Sequence, residues 1–375
     1  MIAAWRRLPW GLLGTLALVA CVERSLARHA LDYTRPEGFD WGMAGKAARQ
    51  KTQGREILVF GTSMTQQGLL PSVLRERTGL NAHNLSICAG PAPAAYYLLK
   101  RALDSGASPK AVLVDFHPFF LSGCDRSGSS CWPDMLEPRE ALDMAWTLRD
   151  APFFASTVLG HALPSVGNRL QLRKAIAGAF WGESFSMSYF NAILTHNKNQ
   201  NEGALVYRKK PDYRGEVAPA YGKIFLPASW AVDDVNAQYL RRFVALAGSR
   251  GVEVYWVIPP LAPELQSRRN RSGLEEPYDR FIRSMQAEHA NLVVLDARKS
   301  GYEADVFTDA AHLDSQGASA WSMAVGDVLA ARRRGPEDRP RWINLPAYRE
   351  RRPVHPMMDL NDSDLALKKM FSRRQ

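Results

Sequence analysis

The sequence predicts an α/β protein built on a parallel sheet, and three observations carry that prediction. Apolar runs recur at Ile57–Phe60, Asn81–Ile87, Ala111–Phe116, Val252–Ile258 and Asn291–Leu295. Helix-like patterns separate them, as at Ala94–Leu103, Asn236–Leu246 and Tyr278–His289. Ala111–Phe116 is a continuous apolar run, the pattern of a strand buried on both faces, and the two later runs are of the same type. Strands alternating with amphipathic segments imply a parallel sheet with right-handed crossovers, here of five strands.

At the N-terminus, Arg6 and Arg7 precede an apolar run from Leu8 to Val22 that ends at Glu23-Arg24. A positive segment before an apolar one of this length is an export signal, a little short for a spanning helix. The charges that follow, and the absence of an Ala-x-Ala site, favour a retained signal anchor over residues 1–24. A cleaved signal peptide is an alternative, and so is a lipoprotein, with Leu18-Val19-Ala20-Cys21 as its cleavage box and Cys21 lipidated. Residues 25–54 read as a linker from membrane to domain. The α/β domain then occupies residues 55–118 and 236–332, with a short helix at Pro71–Thr78 and a final helix at Ala318–Arg332.

Residues 119–235 interrupt the alternation and are too many for a loop, so they read as a mainly helical insertion or cap. The segment is rich in aromatics, among them Trp132, Trp146, Phe153, Phe154, Trp181, Tyr189, Phe190, Tyr207, Tyr213, Tyr221 and Trp230. Most are expected to build the insertion's own core, with a few exposed ones lining a carbohydrate or acyl groove. Cys124 and Cys131 enclose a short polar loop and are placed to pair outside the cytoplasm, while Cys88 reads as a small buried residue.

The net charge is +10, and from Ala331 to Gln375 twelve Lys or Arg face six Asp or Glu. The basic character therefore belongs largely to the tail over residues 333–375, which reads as solvated. No nucleic-acid motif accompanies it, no Cys/His spacing reads as a zinc site, and no cofactor is called for.

Gly61-Thr62-Ser63 follows the first strand, where ligands gather in open parallel sheets, and makes Ser63 the candidate nucleophile. A serine needs a base, and the base needs an orienting group. Asp309 and His312, three residues apart after the last strand, present both groups in one direction from a turn or a first helical turn.

This combination resembles the SGNH, or GDSL-type, hydrolase superfamily, in its membrane-anchored branch that modifies envelope polysaccharides. Gly61-Thr62-Ser63 matches the first block, with Thr in place of the usual Asp, and His312-Leu313-Asp314-Ser315-Gln316-Gly317 matches the last. The resemblance covers roughly Arg55–Phe116 and Val252–Leu329 and implies a flavodoxin-like three-layer sandwich. It implies catalysis by Ser63, His312 and Asp309, with an oxyanion hole from the Ser63 and Gly90 backbone N–H groups and a third donor after strand three. There this chain carries Asp115 and His117 instead of the family's Asn, and His117 is the residue able to donate. The function implied is that of an exported serine esterase or O-acyltransferase acting on acyl esters of a cell-envelope glycan. The alternatives are a lipid or small-ester hydrolase, and a non-catalytic envelope binding or assembly protein that retains the fold. Partners expected are the acylated substrate, the membrane through the N-terminal segment, and envelope-assembly proteins.

Overall fold

The computed structural model describes residues 10–123, 131–182, 186–208, 210, 212–335, 339–350 and 357–372. Among them is a six-stranded sheet with every strand parallel to its neighbours: β1 (Ile57–Phe60), β2 (Ala82–Asn84), β3 (Ala111–Val114), β4 (Glu253–Ile258), β5 (Leu292–Asp296) and β6 (Trp342–Asn344). The order across the sheet is β2-β1-β3-β4-β5-β6.

The sheet thus has one strand more than the five expected, and the sixth comes from the segment read as a solvated tail. It pairs Val294 with Trp342 and Asp296 with Asn344. Val294 N–H donates to the Arg341 carbonyl and Leu345 N–H to that of Asp296, so backbone bonds along β5 define the strand. Only three residues long and without an apolar run, β6 carries no periodic signal in the sequence. The tail also ends in a helix, Leu360–Ser372.

Strand side chains alternate between two faces. On one, Val59, Leu113, Tyr255 and Val293 join Leu74 and Trp321 of helices Pro71–Thr78 and Ser315–Arg334. On the other, Phe60 and Phe116 each meet Phe243 of helix Asp234–Gly248 edge-on at 5.5 Å. Trp256 Nε1 there donates to the hydroxyl of Tyr278, in helix Glu275–Glu288, at 3.0 Å. Burying an aliphatic or phenyl side chain of the sizes found here contributes roughly 1.5–3 kcal/mol. Cover on both sides is why the interiors of the long strands, Val254–Ile258 and Leu292–Leu295, are apolar.

The linker expected over residues 25–54 is instead largely helical, with a helix at Pro36–Gln50. Trp41, Ala44 and Ala48 of that helix are buried, three and four residues apart on one stripe. Two of the three are alanines, which makes the stripe weak in the sequence.

The chain divides into two compact units, Met1–Phe39 with Ser129–Ala192, and Asp40–Gly128 with Ile193–Gln375. The second holds the sheet. The first is helical among its described residues and includes the helix Trp10–Arg28, long and apolar enough to cross a membrane and with none of its residues buried. Its 19 residues rise about 28 Å, of which the apolar stretch Trp10–Val22 ahead of Glu23 makes up about 20 Å. In the same unit Trp132 and Phe153 are buried, ring against ring at 6.2 Å, but Trp146, Trp181, Tyr189 and Phe190 are exposed. The expectation that most of the aromatics form an inner core therefore fails for this unit. Cys124, expected to pair with Cys131, lies outside the described residues.

Leu345 is buried in the core beside β5 and Trp321. Leu345→Ala is expected to cost about 2–5 kcal/mol of unfolding free energy by urea denaturation; a tail free in solvent would leave the midpoint unchanged.

Candidate active site

β1 and β3 lie side by side in register, Phe60 opposite Val114, so Gly61 and Asp115 meet just past the carboxyl ends of both strands. Gly61 has φ +129°, a region favouring glycine, and an added Cβ would lie 2.8 Å from the Asp115 carbonyl and 2.7 Å from Thr65 Oγ1. The next residue, Thr62, caps the helix Ser63–Gly68: its Oγ1 accepts from Met64 N–H at 3.2 Å. The same hydroxyl donates to Asp115 Oδ2 at 2.5 Å. Ser63 is thereby the first helical residue, half-buried, its side chain at the carboxyl edge of the sheet.

Asp309 and His312 are brought to it from the loop after β5. They sit in a tight turn rather than a helix, closed by Thr308 N–H to the His312 carbonyl at 2.8 Å and by a bridge between Phe307 and Leu313. Asp309 Oδ1 accepts from the backbone N–H groups of Ala311 and His312, both at 2.9 Å. His312 Nδ1 lies 2.9 Å from both carboxylate oxygens, and His312 Nε2 lies 2.8 Å from Ser63 Oγ. A carboxylate only accepts, so Nδ1 carries the proton and Nε2 is left to accept from the serine. Burial opposes ionisation of Asp309, but the bonds from His312, Ala311 and Tyr221 outweigh it and hold its carboxyl down at about 2.

Tyr221 was not singled out for this role by the sequence. Its hydroxyl donates to Asp309, and its ring stands edge-on to His312 at 6.5 Å. It belongs to helix Pro219–Phe225, whose Phe225 clusters with Met64, Leu261, Ala310 and Ala311. This part of the aromatic segment thus packs on the neighbours of both Ser63 and Asp309. Burial, then the Asp309 charge, push the Tyr221 phenol upward, keeping it a donor.

The three oxyanion candidates are differently placed. Ser63 N–H lies at the helix start. Gly90 is pressed against the same turn, an added Cβ falling 2.7 Å from the Gly61 carbonyl, but its N–H donates to Ile87 O at 3.3 Å. His117 is buried and accepts Phe119 N–H on Nδ1 at 3.2 Å. Desolvation, then the charge of Arg269, hold it neutral, so Nε2 carries its proton and is its donor. With Met64, Asp115, Leu261 and Tyr278 it lines a chamber of about 20 Å³. Asp115 is fully buried with Oδ1 unpartnered; burial pushes its carboxyl up to about 7, against the pull of the Thr62 bonds.

A family model described as "Protein of unknown function (DUF1574)" matches residues 30–317. No curated protein matches the chain.

Two carboxyls of this site respond to pH with opposite sign. Asp309, depressed to about 2, stabilises the fold above pH 4 and loses that contribution as pH falls through 2. Asp115, raised to about 7, is protonated when folded and ionised when unfolded between about pH 4 and 7, so its contribution declines as pH rises through that window. Urea unfolding at pH 4, 5.5 and 7 is expected to show Asp115→Asn gaining on the native chain as pH rises. Parallel curves would show that Asp115 is not raised.

Proposed function

We propose that this chain, which belongs to the DUF1574 family, is an exported, membrane-tethered serine esterase or O-acyltransferase acting on acyl esters of a cell-envelope glycan. The observation that supports it is the hydrogen-bonded chain from Ser63 Oγ through His312 to Asp309. Ser63 Oγ attacks the ester carbonyl while His312 Nε2 takes its proton. The proton then passes from Nε2 to the leaving alkoxide, and the acyl group remains on Ser63. A second hydroxyl, of water or of a sugar, repeats the steps in reverse and carries the acyl group away. Asp309 stabilises the imidazolium of each step, and Tyr221 holds Asp309. Ser63 N–H and His117 Nε2–H are the donors assigned to the oxyanion, with Gly90 keeping the nucleophile turn in place.

The strand order β2-β1-β3-β4-β5 agrees with a flavodoxin-like sandwich of the SGNH type, extended here by β6. A positive segment before an apolar run, Arg6 and Arg7 ahead of Leu8–Val22, has the form of an export signal, and an export signal supports an extracytoplasmic domain.

The test is a fluorophosphonate ester probe on the detergent-solubilised full chain. The native protein is expected to label at Ser63 and Ser63→Ala not at all; His312→Ala and Asp309→Asn should label about 10²–10⁴ times more slowly. Labelling undiminished in Ser63→Ala would remove the esterase reading. Product analysis with an acylated sugar and a second sugar acceptor then separates the outcomes, since free acid alone at every acceptor concentration means hydrolysis.

A further inference from the structure

The first unit contains a helix whose polarity is reversed. In Arg169–Phe180 the buried residues are Gln171 and Gly178, while Leu170, Ile176 and Phe180 are 55%, 60% and 84% exposed, and Trp181 directly after it is 83% exposed. A helix on a water-soluble body shows the opposite arrangement. Leu170, Arg173 or Lys174, Ala177, and Phe180 or Trp181 recur at spacings of three and four and are all exposed, forming one outward stripe. The helix carries Arg169, Arg173 and Lys174 and no acidic residue. Apolar and aromatic side chains with long cationic ones between them match a bilayer surface: rings at headgroup level, alkyl stems among the chains, charges reaching the phosphates.

Its place in the unit names the same partner. The helix Trp10–Arg28 packs on the short helix Pro164–Gly167, where Glu23 accepts from the Ser165 N–H at 3.0 Å and from its hydroxyl. Glu23 closes the apolar run, so this fastening lies where a spanning helix leaves the hydrocarbon. Asn168 alone separates it from Arg169, which starts the reversed helix at that level. We infer that Arg169–Trp181 is a second membrane-contacting element, lying in the headgroup plane on the exported side beside the spanning helix. This rests on the reading of Trp10–Arg28 as a membrane span.

The full chain, reconstituted in vesicles of phosphatidylethanolamine and phosphatidylglycerol with a trace of diazirine-tailed phospholipid, is irradiated and its peptides mapped by mass spectrometry. Adducts are expected on Trp10–Val22 and on residues 170–181, the latter about tenfold above Leu360–Ser372, whose Leu365 and Met370 are exposed to a similar degree as Leu170. Exchanging Phe180→Glu and Trp181→Glu together should abolish adducts on residues 170–181 and leave those on Trp10–Val22. Adducts on Trp10–Val22 alone in the native chain would overturn the inference and leave the anchor standing, pointing to a protein partner for this stripe. Adducts on neither would remove the anchor and the inference with it.

Discussion

Contact between Gly61-Thr62 and Asp115 governs the candidate site. Two adjacent parallel strands end at the same level, and the chain leaving β1 must turn at once without striking the chain leaving β3. Gly61 makes that possible, since a Cβ there would meet Asp115 and Thr65 below 3 Å. Thr62 converts the close approach into direction: one hydroxyl donates to Asp115 Oδ2 and accepts from Met64 N–H, which starts the helix with Ser63 as its first residue. Removal of the Asp115 bond would free Thr62 to rotate away from the cap, and the serine would lose its fixed heading. Asp115 thus acts on Ser63 through Thr62 and has no need to touch a substrate.

The candidate base, His312, is held by a second, independent local device. Asp309 uses one oxygen for two backbone N–H groups and the imidazole, so the carboxylate both closes the turn and orients the ring. Asp314 caps the following helix with bonds to Gln316 and Gly317 N–H at 2.9 Å, and Gly317 lies so near the Val306 carbonyl that a side chain would sit 2.6 Å from it. Each turn is rigid by itself, and a single 2.8 Å bond joins residues 249 positions apart. Misplacement of either turn by an ångström would cost that bond while leaving both turns intact.

That division explains what was legible in the sequence. β1, β3, β4 and β5 were readable because burial on both faces makes their interiors apolar, while β2, Ala-His-Asn, was marked only by its place between helical patterns; Ser63, Asp309 and His312 were readable because turn chemistry and strand ends mark them locally. β6 was not, since its three residues are fixed by backbone pairing with β5. Tyr221 was not, since the bond to Asp309 depends on how a helix some ninety residues earlier packs around Phe225. The aromatic segment misled for a related reason. Aromatic content measures how much apolar surface needs cover, and it is silent on whether protein or lipid supplies it.

The positive charge illustrates the same distinction. Part of it is consumed inside the fold: Arg332 pairs with Glu253 at 2.9 Å, Arg341 Nη1 donates to the Gln286 and His289 carbonyls, and Arg283 lies over the Trp342 ring at 4.5 Å. These contacts secure β6 and its surroundings, so Arg332 and Arg341 are no evidence for an anionic partner. Arg169, Arg173 and Lys174 differ because they stand among apolar side chains left exposed among the described residues. Charge beside such side chains favours a surface that is anionic and apolar at once, and a bilayer is that surface. The proposed membrane contact therefore rests on the reversed burial of one helix and its place beside Trp10–Arg28, and the net charge of the chain adds nothing to it.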